Sequence, residues 1–186
     1  MEESFTLSYL GHDDPEMIDI WISEPAKKRL EAWLQPHMTG MEFGSGCSTV
    51  WLAQRVKHLV SVEHNIEWHH RVKTLLDSYG VSNATLIYAE PDNYLNVLKK
   101  CQDKSLDFVF NDGLATLRTK CIETSWRKIK KGGVMIIDNS EANHSKMGIR
   151  FIENNGAIGT RYWGAVTNPW TGRYNKKGVE TSIWVK

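Results

Sequence analysis

Glu42-Phe43-Gly44-Ser45-Gly46-Cys47-Ser48 follows the short apolar run Gly40–Phe43 and opens an amphipathic one. An extended segment, a glycine turn and a helix start are expected here. Glycines permit a tight turn and let a ligand approach the backbone, and Ser48 is placed to cap the helix that continues to about Val56. The helix start offers free N–H groups to a ligand. Taken alone the Gly-x-Gly is also what a plain strand-to-helix turn would carry.

Outward from this turn, apolar and amphipathic runs alternate from about residue 25 to residue 155, which predicts consecutive β-α units and a parallel sheet. The predicted strands are 40–43, 58–63, 84–89, 106–110 and 134–137. Helices are predicted over 25–35, from 48 to about 56, from Trp68 to Tyr79, over about 94–101, from Leu114 to Ile129 and near 146–154. Ala157–Trp163 and Glu180–Val185 then read as two strands with no helix between them. A direct link of that kind implies an antiparallel pair. Five parallel strands closed by an antiparallel hairpin are therefore expected.

The length of 186 residues suits one domain, 1–186, with residues 1–24 as an extension that can form part of a lid. Trp21 with Ile18, Ile20 and Ile22 suggests that this extension packs onto the rest. A net charge of +1 gives no global field toward nucleic acid or a membrane surface. No apolar run approaches the roughly 18 residues of a membrane span. The start of the chain has neither a basic nor an apolar leader region. Three scattered cysteines, Cys47, Cys101 and Cys121, fit neither a disulfide framework nor a zinc site and suit a reducing cytoplasm.

Glu63 ends the second strand 19 residues after Gly44. At that distance in an open α/β sheet a carboxylate can accept hydrogen bonds from ribose hydroxyls; the alternative is a plain surface acid at a strand end. A dinucleotide fingerprint would place a third glycine where this chain has Thr49. Glu42, just before the turn, would repel a diphosphate and would suit a cation such as the amino group of a methionine moiety. These points favour S-adenosylmethionine (SAM) over NAD.

With Asn111-Asp112-Gly113 and Gly132-Gly133-x-x-x-x-Asp138-Asn139 added, the sequence resembles the class I SAM-dependent methyltransferases over about residues 25–186. It is close to a subgroup of small bacterial-type members that carry counterparts of Arg118 and Cys121. The resemblance implies an α/β, Rossmann-like three-layer sandwich whose seven-stranded, mostly parallel sheet has an antiparallel last strand. It implies that Glu42, Gly44, Ser45 and Gly46 face the methionine part of SAM and that Glu63 faces the ribose. Glu90 or Asp92 would lie at the adenine, and Asp112 near the methyl group.

Asp112, Asp138 and Asn139 close neighbouring strands. As hard oxygen ligands they could hold Mg²⁺, in an arrangement that resembles catechol-type O-methyltransferases; the alternative, which we favour, is that they only hydrogen-bond the loops. Arg118 is expected near the pocket mouth, either as a clamp for an acidic acceptor group or as one more solvated base on a basic helix. Asp112, Asp138 and His144 are candidate bases. Asn139 and the aromatic loop residues Trp163 and Trp170 are candidates for contact with the acceptor. His69 and His70 are neighbours that share no helix face and read as surface residues. Asn168-Pro169-Trp170 superficially resembles the Asn-Pro-Pro-Tyr of DNA amino-methyltransferases but stands at the wrong strand. Arg127–Lys131 is too short a basic run to suggest RNA. The expected activity is methyl transfer to an oxygen or nitrogen of a small molecule or an accessible side chain. The alternatives are a SAM-binding protein without catalysis and an NAD-linked oxidoreductase.

Overall fold

The computed structural model describes residues 18–168 and 171–186. Seven strands form one sheet in the order β3-β2-β1-β4-β5-β7-β6. In chain order these are β1 (Thr39–Phe43), β2 (His58–Glu63), β3 (Ala84–Tyr88), β4 (Leu106–Asn111), β5 (Ile129–Asp138), β6 (Ile158–Thr167) and β7 (Tyr174–Val185). The first five pair in parallel, and β7 runs antiparallel between β5 and β6. The helices are α1 (Glu24–Trp33), α2 (Cys47–Ala53), α3 (Ile66–Ser78), α4 (Arg118–Trp126) and α5 (Asn143–Asn154). The parallel strands are those the alternation predicts, and the whole is the seven-stranded Rossmann-like sandwich that the resemblance implies.

Both faces of a parallel sheet are covered, so its strands carry apolar residues on both sides. Phe108, Phe110, Val134, Ile136 and Ile183 pack with Leu30 of α1, Trp51 and Leu52 of α2, and Ile20 and Ile22. The residues between them, Val109, Met135, Ile137 and Trp184, pack with Ile122 of α4 and Ile149 and Ile152 of α5. The order reverses at β1, because β2 and β3 lie on one side and β4 on the other. Ligands of open α/β sheets bind outside the carboxyl ends of the strands at such a point. Phe43, Glu63 and Asn111 all end there.

The boundaries differ from the expected ones for identifiable reasons. Gly46, not Ser48, is the residue before α2, because the Ser48 hydroxyl is drawn to Glu42. Pro91–Lys100 winds as a 3-10 helix with Tyr94 and Leu98 buried. Leu114–Ile129 is not one helix. Ala115–Leu117 is a 3-10 turn, α4 stops at Trp126, and Ile129 opens β5 opposite Leu106. A register shift follows between Leu106 and Phe108, where Gly132 adopts φ +80. The late hairpin is longer than expected. Backbone pairing continues through Val166–Asn175 and Thr167–Tyr174, so Trp163 lies within β6 and not in a loop. Among the described residues, no helix is long and apolar enough to cross a membrane.

Gly40 in β1 faces Phe108 of β4, and a Cβ on Gly40 would lie 2.1 Å from the Phe108 Cζ. Phe108 is fully buried and has nowhere to move. Gly40→Ala is expected to destabilise the chain by about 1–3 kcal/mol, read as a lower urea midpoint. An unchanged midpoint would show that this packing is looser than described.

Candidate functional site

Phe43 ends β1 and the chain turns at Gly44, which has φ +87. A side chain there is blocked twice. The backbone is left-handed, and a Cβ would stand 2.7 Å from the Asp112 carbonyl oxygen and 2.8 Å from the Gly113 Cα. The Gly44 N–H donates to Val62 O, and the Asp112 N–H donates to Phe43 O. The glycine turn, the end of β2 and the end of β4 are thus fastened together.

Glu42 lies beneath this turn with no exposed surface. Its oxygens accept from Ser48 Oγ at 2.5 Å, Thr49 Oγ1 at 2.6 Å and Ser61 Oγ at 2.5 Å. Thr49 Oγ1 in turn accepts from the Gly46 N–H at 2.9 Å. The hydroxyl standing where a dinucleotide site would have its third glycine is therefore a brace for the turn. Burial pushes the Glu42 carboxyl up to about 7, against the pull of the hydroxyl donors. Glu42 lines neither of the cavities beside the turn; its position makes it the turn's internal support.

Two cavities meet at the turn. One, of about 460 Å³, is lined by Gly44, Ser45, Glu63, His64, Asn65, Trp68, Asp112, Gly113, Leu114 and Ala115. The other, of about 200 Å³, lies between Ser45–Ser48, Trp68, Phe110, Asp112 and Trp21. Glu63 is buried, and its Oε2 accepts from the Ser45 N–H at 3.0 Å and the Ser45 Oγ at 3.1 Å. Its Oε1 accepts from the backbone N–H groups of His64 and Asn65, both at 2.8 Å. A third groove, of about 650 Å³, is mainly apolar, with Met41, Val60, Ile87, Val97 and Leu106 beside the 3-10 helix. It is the larger space, and Glu90, Asn93, Asn96 and Lys100 also border it.

Asp112, Ser45 and Trp68 line both cavities at the turn. The Asp112 side chain is 36% exposed, and its Oδ1 accepts from Arg118 Nη2 at 2.5 Å. Burial raises its pKa, opposed by the Arg118 charge. Arg118 is not at a pocket mouth, as a clamp would be. It is buried, with Nε donating to Gly113 O at 3.0 Å and Nη1 to Asp138 O at 2.6 Å. Its three bonds tie the end of β4 to the end of β5.

The other candidates separate. Asp138 lines neither cavity. It lies opposite Thr181 in the sheet, shares that face, and accepts from Thr181 Oγ1 at 2.6 Å. Burial, reinforced by the Asp112 charge, pushes its carboxyl up to about 8. Asn139 adopts φ 48, and its carbonyl accepts from the Ala142 N–H. His144 stands in the first turn of α5 outside both cavities, and its Nε2 is buried without a hydrogen-bond partner. Burial and then the Arg118 charge lower its pKa. Glu90 lines the apolar groove, and Asp92 is exposed and lines none of the three spaces. Trp163 is 58% exposed, opposite Glu180 and outside both cavities. Trp170 and residues 1–17 of the expected lid lie outside the described residues.

The donor set does not suit a metal ion. Arg118 already occupies Asp112, and the Asp138 carboxyl is turned to Thr181. Among the described residues no three His, Cys, Asp or Glu side chains converge.

Sequence reasoning missed four residues around the site. His64 and Asn65 line the larger cavity simply because they follow Glu63 in the chain. Tyr94 is the member of the 90–94 segment that turns inward. It is buried, donates to Val62 O at 3.0 Å and stands 6.0 Å edge-on from the His64 ring. Trp21, between buried Ile20 and Ile22, is 48% exposed at the smaller cavity. Ser23 fixes that segment by donating its N–H to Thr181 Oγ1 and its hydroxyl to Tyr162 O.

Residues 41–140 match a protein family described as a methyltransferase domain. No curated protein matches the sequence. Among solved structures, the chain is similar to an O-methyltransferase from Bacillus cereus in complex with SAH, at 18% identity and a TM-score of 0.67 over 91% of this chain and 84% of that one. It is also similar to the O-methyltransferase TomG of Streptomyces achromogenes, involved in tomaymycin synthesis and solved with SAM. That match has 17% identity and a TM-score of 0.62 over 80% and 72% of the two chains. A precorrin-6y C5,15-methyltransferase from Geobacter metallireducens matches at 18% identity and a TM-score of 0.66, over 83% and 82%. At these identities the likeness is one of fold.

Glu42 and Asp138 make stability depend on pH with a defined sign. In the unfolded chain both ionise near their ordinary values, 4.5 and 3.8; in the folded chain they hold their protons to about 7 and about 8. The folded state therefore binds more protons between these limits, and stability falls as pH rises from about 4 to about 8. Glu42→Gln and Asp138→Asn should each flatten this slope, by on the order of 3 kcal/mol for Glu42 across the window. Urea unfolding at pH 5 and pH 8 measures it, and slopes equal to that of the unaltered chain would contradict the assignment.

Proposed function

The chain belongs to the methyltransferase-domain family, and we propose that it binds SAM and transfers its methyl group to an oxygen or nitrogen of a small acceptor or an accessible side chain. The observation that carries this reading is the position of Glu63. A buried carboxylate stands beside a glycine turn in a cavity that continues past Asp112. Relatives of the same fold solved with SAM or SAH support the cofactor, and the O-methyltransferases among them favour an oxygen acceptor.

In this reading Glu63 accepts from the ribose hydroxyls. The bare backbone of Gly44–Gly46 allows the close approach of the methionine portion. SAM supplies an electrophilic methyl group when bound. The chain's own contribution is to position an acceptor in line with that group and to keep water away. Asp112 is the candidate base, because it alone of Asp112, Asp138 and His144 faces the cavities. It would take the proton that an acceptor hydroxyl loses. Arg118 holds Asp112 in place and is a positioning residue. Trp21 offers the acceptor an indole wall.

The test is thermal unfolding with SAM, SAH or NAD in excess. A ligand at about 100 times its dissociation constant stabilises by roughly 2.7 kcal/mol. SAM and SAH should raise the melting temperature, NAD should not, and Glu63→Ala should abolish the shift. A shift with NAD alone, or one that survives Glu63→Ala unchanged, would sink the reading.

A further inference from the structure

Glu63 is saturated by donors from its own chain. A carboxylate offers about four lone-pair sites. Here Ser45 N–H and Ser45 Oγ take those on Oε2, and the His64 and Asn65 N–H groups take those on Oε1. His64 Nδ1 stands 3.0 Å from Oε1 but makes no hydrogen bond to it. Three of the four donors are backbone groups fixed by the turn and by the start of α3. The fourth, the Ser45 hydroxyl, is a side-chain group that a rotation about χ1 can remove.

One removable donor thus sits on Oε2. A ribose hydroxyl is also a donor that a carboxylate oxygen accepts. We infer that the Ser45 hydroxyl is a latch that occupies a ribose-hydroxyl position on Glu63 and must be displaced when the cofactor binds. This rests on the reading that Glu63 receives the ribose, and it adds that the chain competes with its own ligand there. The cavities give the hydroxyl somewhere to go, because Ser45 borders the smaller cavity as well as the larger. The backbone donors keep the carboxylate oriented while the latch is open. Ser45 is a positioning residue that sets affinity and does not touch the transferred group.

The latch predicts opposite signs for one substitution. Ser45→Ala removes a bond from the ligand-free chain, so its melting temperature should fall. The same change removes a competitor, so SAH should bind about 3- to 10-fold more tightly by calorimetry, the size of one ordinary net hydrogen bond. A merely structural role for Ser45 would weaken both. 2′,3′-Dideoxyadenosine, which lacks the diol, should show no gain. Unchanged or weaker SAH binding in Ser45→Ala, or an equal gain for the dideoxy compound, would overturn the latch and leave the cofactor reading intact. Absence of SAH binding to the unaltered chain would overturn both.

Discussion

The site depends on one close approach. At Gly44 the backbone of the β1 turn lies so near the start of the β4 loop that a single Cβ would collide with Asp112 O and Gly113 Cα. Because Gly44 has no side chain, the ends of β1, β2 and β4 share one small space. Glu63, Ser45 and Asp112 come from segments far apart in sequence, yet they border the same cavity. Below the turn, Glu42 collects three hydroxyls. A buried carboxylate with this many partners fixes direction as well as position. The shape of the turn is thus set from beneath by an acid, and its upper surface remains open.

A second tie runs along the carboxyl edge. Arg118 joins Asp112, Gly113 and Asp138, so the cavity wall at β4 is coupled to the end of β5. A planar guanidinium with several fixed donors suits this bracing role. Thr181 then links Asp138 to the segment that presents Trp21, through the Ser23 N–H. Glycine turn, Asp112, Arg118, Asp138, Thr181 and Ser23 form one continuous chain of contacts. Three charged groups that the sequence offers as separate ligands are here parts of one frame, and of these only Asp112 is left facing the cavities.

Much of this was legible in the sequence, for physical reasons. The central strands are covered on both faces, so they read as continuous apolar runs and the helices between them as amphipathic ones. Glu63 is found at the end of β2 beside the turn, as its spacing from Gly44 indicated. The late hairpin was visible, but not its length. Asn175, Lys176, Lys177 and Gly178 have little intrinsic strand preference, and pairing of backbone groups carries that part of the hairpin. The burial of Arg118 was not legible because two of its partners are carbonyl oxygens, which any residue supplies. The turning away of Asp138 could have been read. Alternation from Val134 and Ile136 puts it on the α1 side of the sheet, whereas the three-acid grouping assumed that nearness in space meant a shared direction.

The central claim is that a nucleoside rests on Glu63 with its other end toward Asp112. A crystal structure of the chain grown with SAH tests this most directly. The account predicts ribose hydroxyls within hydrogen-bonding distance of Glu63, the sulfur beside Asp112, and the methionine portion against Gly44–Gly46. A structure with SAH bound elsewhere, or with Glu63 still held by Ser45 and no nucleoside beside it at saturating SAH, would contradict it.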